Sequence, residues 1–181
     1  MTRRRRLVKR IMGVEMMMRA RHVRLILFAL FTAGCSRPSA SAESDAVLAV
    51  VQRFFETMAA RDVDGARAIL LPEGRFYSIR DSAGAAIVRT FTNAQYVTDL
   101  PSMQGRLERM WDADVRIDGR MATVWTPYDY HRDGQFSHCG VDAFDLLKTD
   151  DGWKIAGGVY SVQRTKCAPS PLGPPKPKAP S

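Results

Sequence analysis

The chain is poor in the residues that most often do chemistry. Of its 181 residues, three are histidine and three are cysteine. His22 falls in a basic N-terminal segment, and His131 and His138 have no Cys/His cluster around them at metal-site spacing. A Ser nucleophile elbow and a phosphate-cradling glycine loop are both missing. No bound metal or cofactor is therefore expected. No apolar run approaches the roughly 20 residues that a membrane-crossing helix needs. Net charge is scarce too, once the chain is divided. The formal charge is +8, but residues 1–34 hold nine Lys/Arg against one Glu, whereas residues 35–181 hold 18 basic and 18 acidic residues. The excess is a targeting flank, and the rest has no electrostatic reason to seek nucleic acid.

What is present begins with that flank. Arg19, Arg21 and Arg24 precede the apolar run Leu25-Ile26-Leu27-Phe28-Ala29-Leu30-Phe31, and Ala33 and Gly34 then lead to Cys35. Basic, apolar and small in that order is a secretory signal. Residues 1–34 are read as this signal, with translation starting at Met16, Met17 or Met18 an open alternative for its true beginning. Thr32-Ala33-Gly34-Cys35 resembles a bacterial lipobox, with Thr32 where Leu is usual. The resemblance implies lipidation of Cys35 and a membrane anchor of two or more acyl chains, which hold stably where one does not. The expected location is the cell envelope, on the periplasmic side of a membrane if the cell is Gram-negative. Secretion without a lipid is the alternative.

Residues 36–44 are small and polar, so 35–44 reads as a tether. Residues 168–181 contain six prolines and read as a disordered tail. A single domain is expected over 45–167. Val47, Leu48, Val50, Val51, Phe54, Phe55 and Met58 form one helical stripe with Ser44 as its cap. Asp62 caps a second helix that Pro72 and Gly74 should end. Residues 75–80 and 85–91 read as strands, Asn93 caps a third helix, and four strands follow from Leu107. Asp118-Gly119 and Asp133-Gly134 are hairpin turns, and Asp150-Asp151-Gly152 is a third. Two helices, two strands, one helix and four strands make an α+β fold.

Trp125-Thr126-Pro127-Tyr128, Ser137-His138-Cys139-Gly140-Val141-Asp142-Ala143-Phe144 and Gly152-Trp153-Lys154-Ile155 resemble the nuclear-transport-factor-2-like superfamily, in its bacterial lumazine-binding or polyketide-cyclase-like branch. The resemblance implies a cone-shaped curved antiparallel sheet on about three helices, a cystatin-like fold, with a cavity at the wide end. The steroid-isomerase pattern of this fold does not carry over. The first helix has Phe54 and Phe55 but no Tyr, and no Asp follows the second helix at the expected place.

Pairing the strands across a two-residue Asp133-Gly134 turn sets Asp129 opposite His138 and Trp125 opposite Asp142. One face then carries Trp125, Asp129, His138, Asp142 and Phe144. A one-residue bulge would exchange the faces. With that face concave, Trp125, His138, Asp142 and Phe144 form a ligand wall, and His138 with Asp129 or Asp142 is a candidate acid–base pair. The other face, with Val124, Tyr128 and Val141, is a candidate homodimer surface. Cys139 and Cys167 are the cysteines left after Cys35. With Lys148 opposite Trp153, Cys139 faces Val162, and a bridge to Cys167 is expected if the tail turns back. Two function classes stay open. One is a non-catalytic envelope domain binding a small apolar or aromatic molecule or a protein partner. The other is a small-molecule isomerase or dehydratase.

Overall fold

The computed structural model describes residues 39–175; Cys35 and the signal lie outside the described residues. Helix α1 spans Ala40–Ala60 and buries Val47, Val51, Phe54, Phe55 and Met58 as the stripe requires. It starts earlier than Ser44, because Ser39 accepts from the Ala42 amide and so caps it. Glu43 in its first turn accepts from the Lys148 ammonium and the Trp153 indole. A single carboxylate thus ties the helix start to the last hairpin. Helix α2, Val63–Ile69, is capped by Asp62 as expected. Pro72 and Gly74 do not follow a helix end at a distance: they lie within strand β1, Leu70–Ser82, which begins directly after α2.

Strand β2 is Ala85–Thr92 and helix α3 is Asn93–Asp99. The cap of α3 is Thr92, not Asn93, in a capping box closed by Gln95. Asn93 does something else. It is fully buried, and its amide donates to the carbonyls of Leu71 and Ile155. Five strands follow, not four: β3 Arg106–Met110, β4 Asp114–Asp118, β5 Met121–Arg132, β6 Gln135–Thr149 and β7 Gly152–Ser161. The extra strand arises because Asp112, at φ 45°, breaks one edge into two pieces. Both pieces pair with β5.

The sheet order is β2-β1-β7-β6-β5-β3, with β4 also on β5. All neighbours are antiparallel except β1 and β7, which are parallel. The expected hairpin turns at Asp133-Gly134 and Gly119 form, with positive φ at each of these residues. The core lies between α1 and the inner face, where Val124, Phe144, Leu146, Trp153 and Ile155 are all buried.

The register departs from the simple hairpin in one place. Arg132 pairs with Gln135 and His131 with Phe136, but Tyr130 then pairs with His138. Ser137 is a bulge residue, two positions opposing one. Beyond it Thr126, not Trp125, faces Asp142. The β5 residues therefore exchange faces: Val124 and Tyr128 are core, and Trp125 is 58% exposed on the outer face. Of the expected dimer residues, only Val141 remains outside the core. A second bulge, between Asp145 and Leu146, moves Cys139 from Val162 to Gln163. Cys139 and Cys167 are joined, with Cα atoms 5.9 Å apart. Residues 168–175 include Gly173, whose carbonyl accepts from Arg109.

Replacing Asn93 by Ala leaves two buried carbonyls without their donor. We expect a loss of about 2 kcal/mol in urea unfolding. A loss under about 0.5 kcal/mol would show that those carbonyls find other partners.

Candidate functional site

A cavity of about 550 Å³ opens between α1, α3 and the curved sheet. Its narrow end is apolar. Phe54 stacks on Tyr96 at 4.9 Å and on Phe76 at 5.6 Å, and meets Phe144 edge-on at 5.7 Å. Alternation then brings polar groups inward. Tyr128 and Tyr130 come from β5, Asp142 from β6, Tyr160 from β7 and Glu108 from β3. Gly140 makes room for one of them. A Cβ there would lie 2.0 Å from the Ser161 carbonyl oxygen and 2.7 Å from the Tyr128 ring. Without it the Tyr128 ring lies across β6, and its hydroxyl donates to that carbonyl at 2.8 Å.

Glu108 and Asp142 interact directly within the cavity wall. Asp142 is buried and Glu108 half-buried, and burial and mutual repulsion both favour their neutral forms. Burial, then the Asp142 charge, holds the Glu108 carboxyl well above its ordinary value. Burial raises Asp142 to about 8, while the Glu108 hydrogen bond works the other way. Both carboxyls are thus held toward their neutral forms, and the pair stays protonated at neutral pH. Asp142 Oδ2 and the Tyr96 hydroxyl are buried with no partner. Burial also pushes the Tyr96, Tyr128, Tyr130 and Tyr160 hydroxyls up, so they are neutral donors.

His138 lines the same cavity, stacked on Tyr130 at 4.6 Å with Nδ1 3.0 Å from the Ser137 hydroxyl. Burial, then Arg164 and Arg132, lower its pKa to about 4. It is a neutral imidazole across the physiological range, not a group that titrates there. Phe144 lines the cavity as expected. Trp125 does not, because the bulge turns it out. Asp129 is also on the far face, held by both guanidinium arms of Arg109 and 3.7 Å from His131 Nδ1. The expected pairing of His138 with Asp129 is thus excluded by the register, and Ser137, not Asp142, is the hydrogen-bond partner of His138. Glu108 went unforeseen. Its signal was the alternation Arg106, Glu108, Met110, legible once β3 is set beside β5. Among the described residues no group of three His, Cys, Asp or Glu could hold a metal ion.

A cone-shaped α+β domain with a curved mixed sheet around an open cavity, apolar at its narrow end and polar toward its mouth, is the class defined by this geometry. The chain belongs to the family described as "Putative lumazine-binding", whose model matches residues 42–161. No curated protein matches it. It is similar in structure to a protein of unknown function with a cystatin-like fold from Nostoc punctiforme, at 11% identity and TM-score 0.56 over 76% of this chain and 99% of that one. It is similar to a nuclear-transport-factor-2-like superfamily protein from Salmonella enterica, at 15% identity and TM-score 0.55 over 72% and 97%. It is also similar to a putative dehydratase of that family from Streptomyces avermitilis, at 16% identity and TM-score 0.52 over 68% and 98%. At these identities the likeness establishes the fold.

The carboxyl pair makes a stability prediction. Asp142 has a folded pKa of about 8 against an ordinary 3.8, so the native state holds this proton more tightly than the unfolded chain. The resulting stabilisation is fully present below the unfolded value and is lost as pH rises through the folded one. We expect the melting temperature to fall as pH rises from about 4 toward about 8 and to level off above it, and Glu108→Gln combined with Asp142→Asn to flatten that fall. An equal fall in both proteins would assign the effect to other groups.

Proposed function

We propose that this protein is an exported, lipid-anchored domain of the cell envelope whose cone binds a small organic molecule with a flat apolar or aromatic body. The observation that carries the reading is the cavity itself. Its volume lies within the range of small-molecule sites, and its aromatic narrow end gives way to converging polar and charged groups toward the mouth. The family's description as lumazine-binding agrees with a flat heterocyclic or aromatic guest. In a thermal-shift screen with aromatic and carbonyl compounds, at least one is expected to raise the melting temperature in a saturable way. A cavity indifferent to every compound, in a domain whose cone proves to be filled by side chains, would favour a protein-interaction role.

A second reading has its own observation. Two adjacent carboxyls held protonated to unusually high pH, Glu108 and Asp142, offer proton donors near neutrality, and an acceptor once Asp142 ionises near pH 8, within one site. That is the minimum equipment of an isomerase or dehydratase acting beside a carbonyl. It replaces the His–Asp pair as the acid–base candidate.

The envelope location rests on the signal and Cys35. Wild type expressed in a bacterial host is expected in the membrane fraction, and Cys35→Ala in the soluble exported fraction. Identical soluble partition of the two would remove the anchor.

A further inference from the structure

Read strand by strand toward the mouth, the inner face shows a repeated order. On β1 it runs Phe76, Ser78, Arg80; on β2, Phe91, Arg89; on β3, Met110, Glu108, Arg106; on β5, Tyr128, Tyr130, Arg132. The chain through and beyond β7 gives Tyr160, Val162, Arg164. Apart from Met110, all of these side chains line the cavity. Period-2 alternation thus delivers an arginine to the same end of the cone five times, from a domain whose basic and acidic residues otherwise balance.

Folding alone does not account for this arrangement. Arg106 and Arg132 are direct cross-strand partners, and like charges facing each other are destabilising. None of the five arginines forms a salt bridge among the described residues, although five other arginines do. The one carboxylate in the lining outside the buried pair is Asp99. Arg164 is also held in place. Its neighbour Gln163 exchanges both backbone hydrogen bonds with Cys139, and the Cys139–Cys167 bridge closes the segment around it. The effect on the interior is visible at His138, whose imidazole Arg164 and Arg132 help to keep uncharged. Deeper in, Asp142 Oδ2 and the Tyr96 hydroxyl remain buried and unpartnered beside the Glu108–Asp142 pair. A fold that leaves cations unpaired at a cavity mouth and polar atoms unpaired below them is built around a guest that pairs both.

We propose that the guest is an aromatic organic acid. Its anionic group sits at the mouth among Arg106, Arg132 and Arg164, and its flat body extends inward between the phenylalanines and tyrosines. A hydroxyl, carbonyl or ring nitrogen at its inner end meets the carboxyl pair. Arginine suits the anionic end because its fork matches carboxylate, phosphate and sulfonate oxygens bidentately. The proposal rests on the cavity-binding reading above and adds the charge and orientation of the ligand.

Two fluorescent probes with nearly one skeleton separate the questions. Anilinonaphthalene sulfonate carries the anion, and N-phenylnaphthylamine lacks it. The full mature domain is titrated with each, as wild type, as Arg106→Gln combined with Arg132→Gln, and as Arg116→Gln. Arg116 pairs with exposed Asp114 away from the cavity and controls for net charge. The sulfonate is expected to bind wild type at one saturable site, more tightly than the neutral probe. The double variant should weaken the sulfonate about tenfold and leave the neutral probe unchanged, which also shows that the cavity is intact. Arg116→Gln should leave both unchanged. Neutral-probe binding as tight as the sulfonate's, or sulfonate binding indifferent to the double variant, would overturn the anion assignment while leaving cavity binding standing. Failure of both probes to bind wild type would overturn both.

Discussion

The β-bulge at Ser137 decides which side chains of the long β5–β6 hairpin face the helices. Side chains alternate strictly along a strand, so a single unpaired residue moves every later partner on β5 to the other face. With the bulge in place, Val124 and Tyr128 join Phe144 and Leu146 inside, and Trp125 and Asp129 are carried to the outside. The same residue supplies the hydroxyl that meets His138. Regular pairing from the turn, with Ser137 opposite Tyr130, would set Trp125 against Asp142 and turn the Arg109–Asp129 ion pair toward α1. The core, the carboxyl pair and the cavity walls all depend on this one register change.

The inner face carries two unlike jobs along its length. At the narrow end Phe54, Phe55, Phe76, Phe91 and Phe144 pack edge to face and in stacks, and they supply the apolar burial that holds α1 and α3 to the sheet. Toward the wide end the fold tolerates arrangements that oppose stability: a buried pair of acids, two arginines face to face, and polar atoms with no partner. Stretches where local rules are broken without compensation within the fold are where function is expected. The disulfide between Cys139 and Cys167 closes a loop with a sequence separation of 28, worth on the order of 3 kcal/mol in the chain-entropy model. It braces this strained end, not the packed one.

The fold was largely legible in the sequence because its signals are local. The Val47–Met58 stripe, the Asp62 cap and the Asp133-Gly134 turn follow from periodicity and turn chemistry, and each is where those rules put it. The site was legible only in part, and the failures share a cause. Trp125 and Asp129 were placed inward by a register counted from the turn, and no residue type announces a bulge at Ser137. Asn93 reads as a helix cap because Asn usually is one, whereas its partners, Leu71 and Ile155, are remote in sequence. Glu108 and the five mouth arginines look like ordinary surface charge until the strands are aligned. A balanced total of 18 against 18 hides a local concentration, because composition carries no positions.

The central claim is that the bulge brings Glu108 and Asp142 together in the cavity wall, where each holds its proton well above the ordinary carboxylate range. Carbon-13 NMR of the side-chain carboxyls, titrated residue by residue, measures this directly. The account predicts that both carboxyls titrate well above the ordinary carboxylate range, with Asp142 ionising near 8. Two carboxyls that both ionise at about their ordinary values near pH 4 would contradict it, because separate groups in water, not desolvated groups in contact, behave that way.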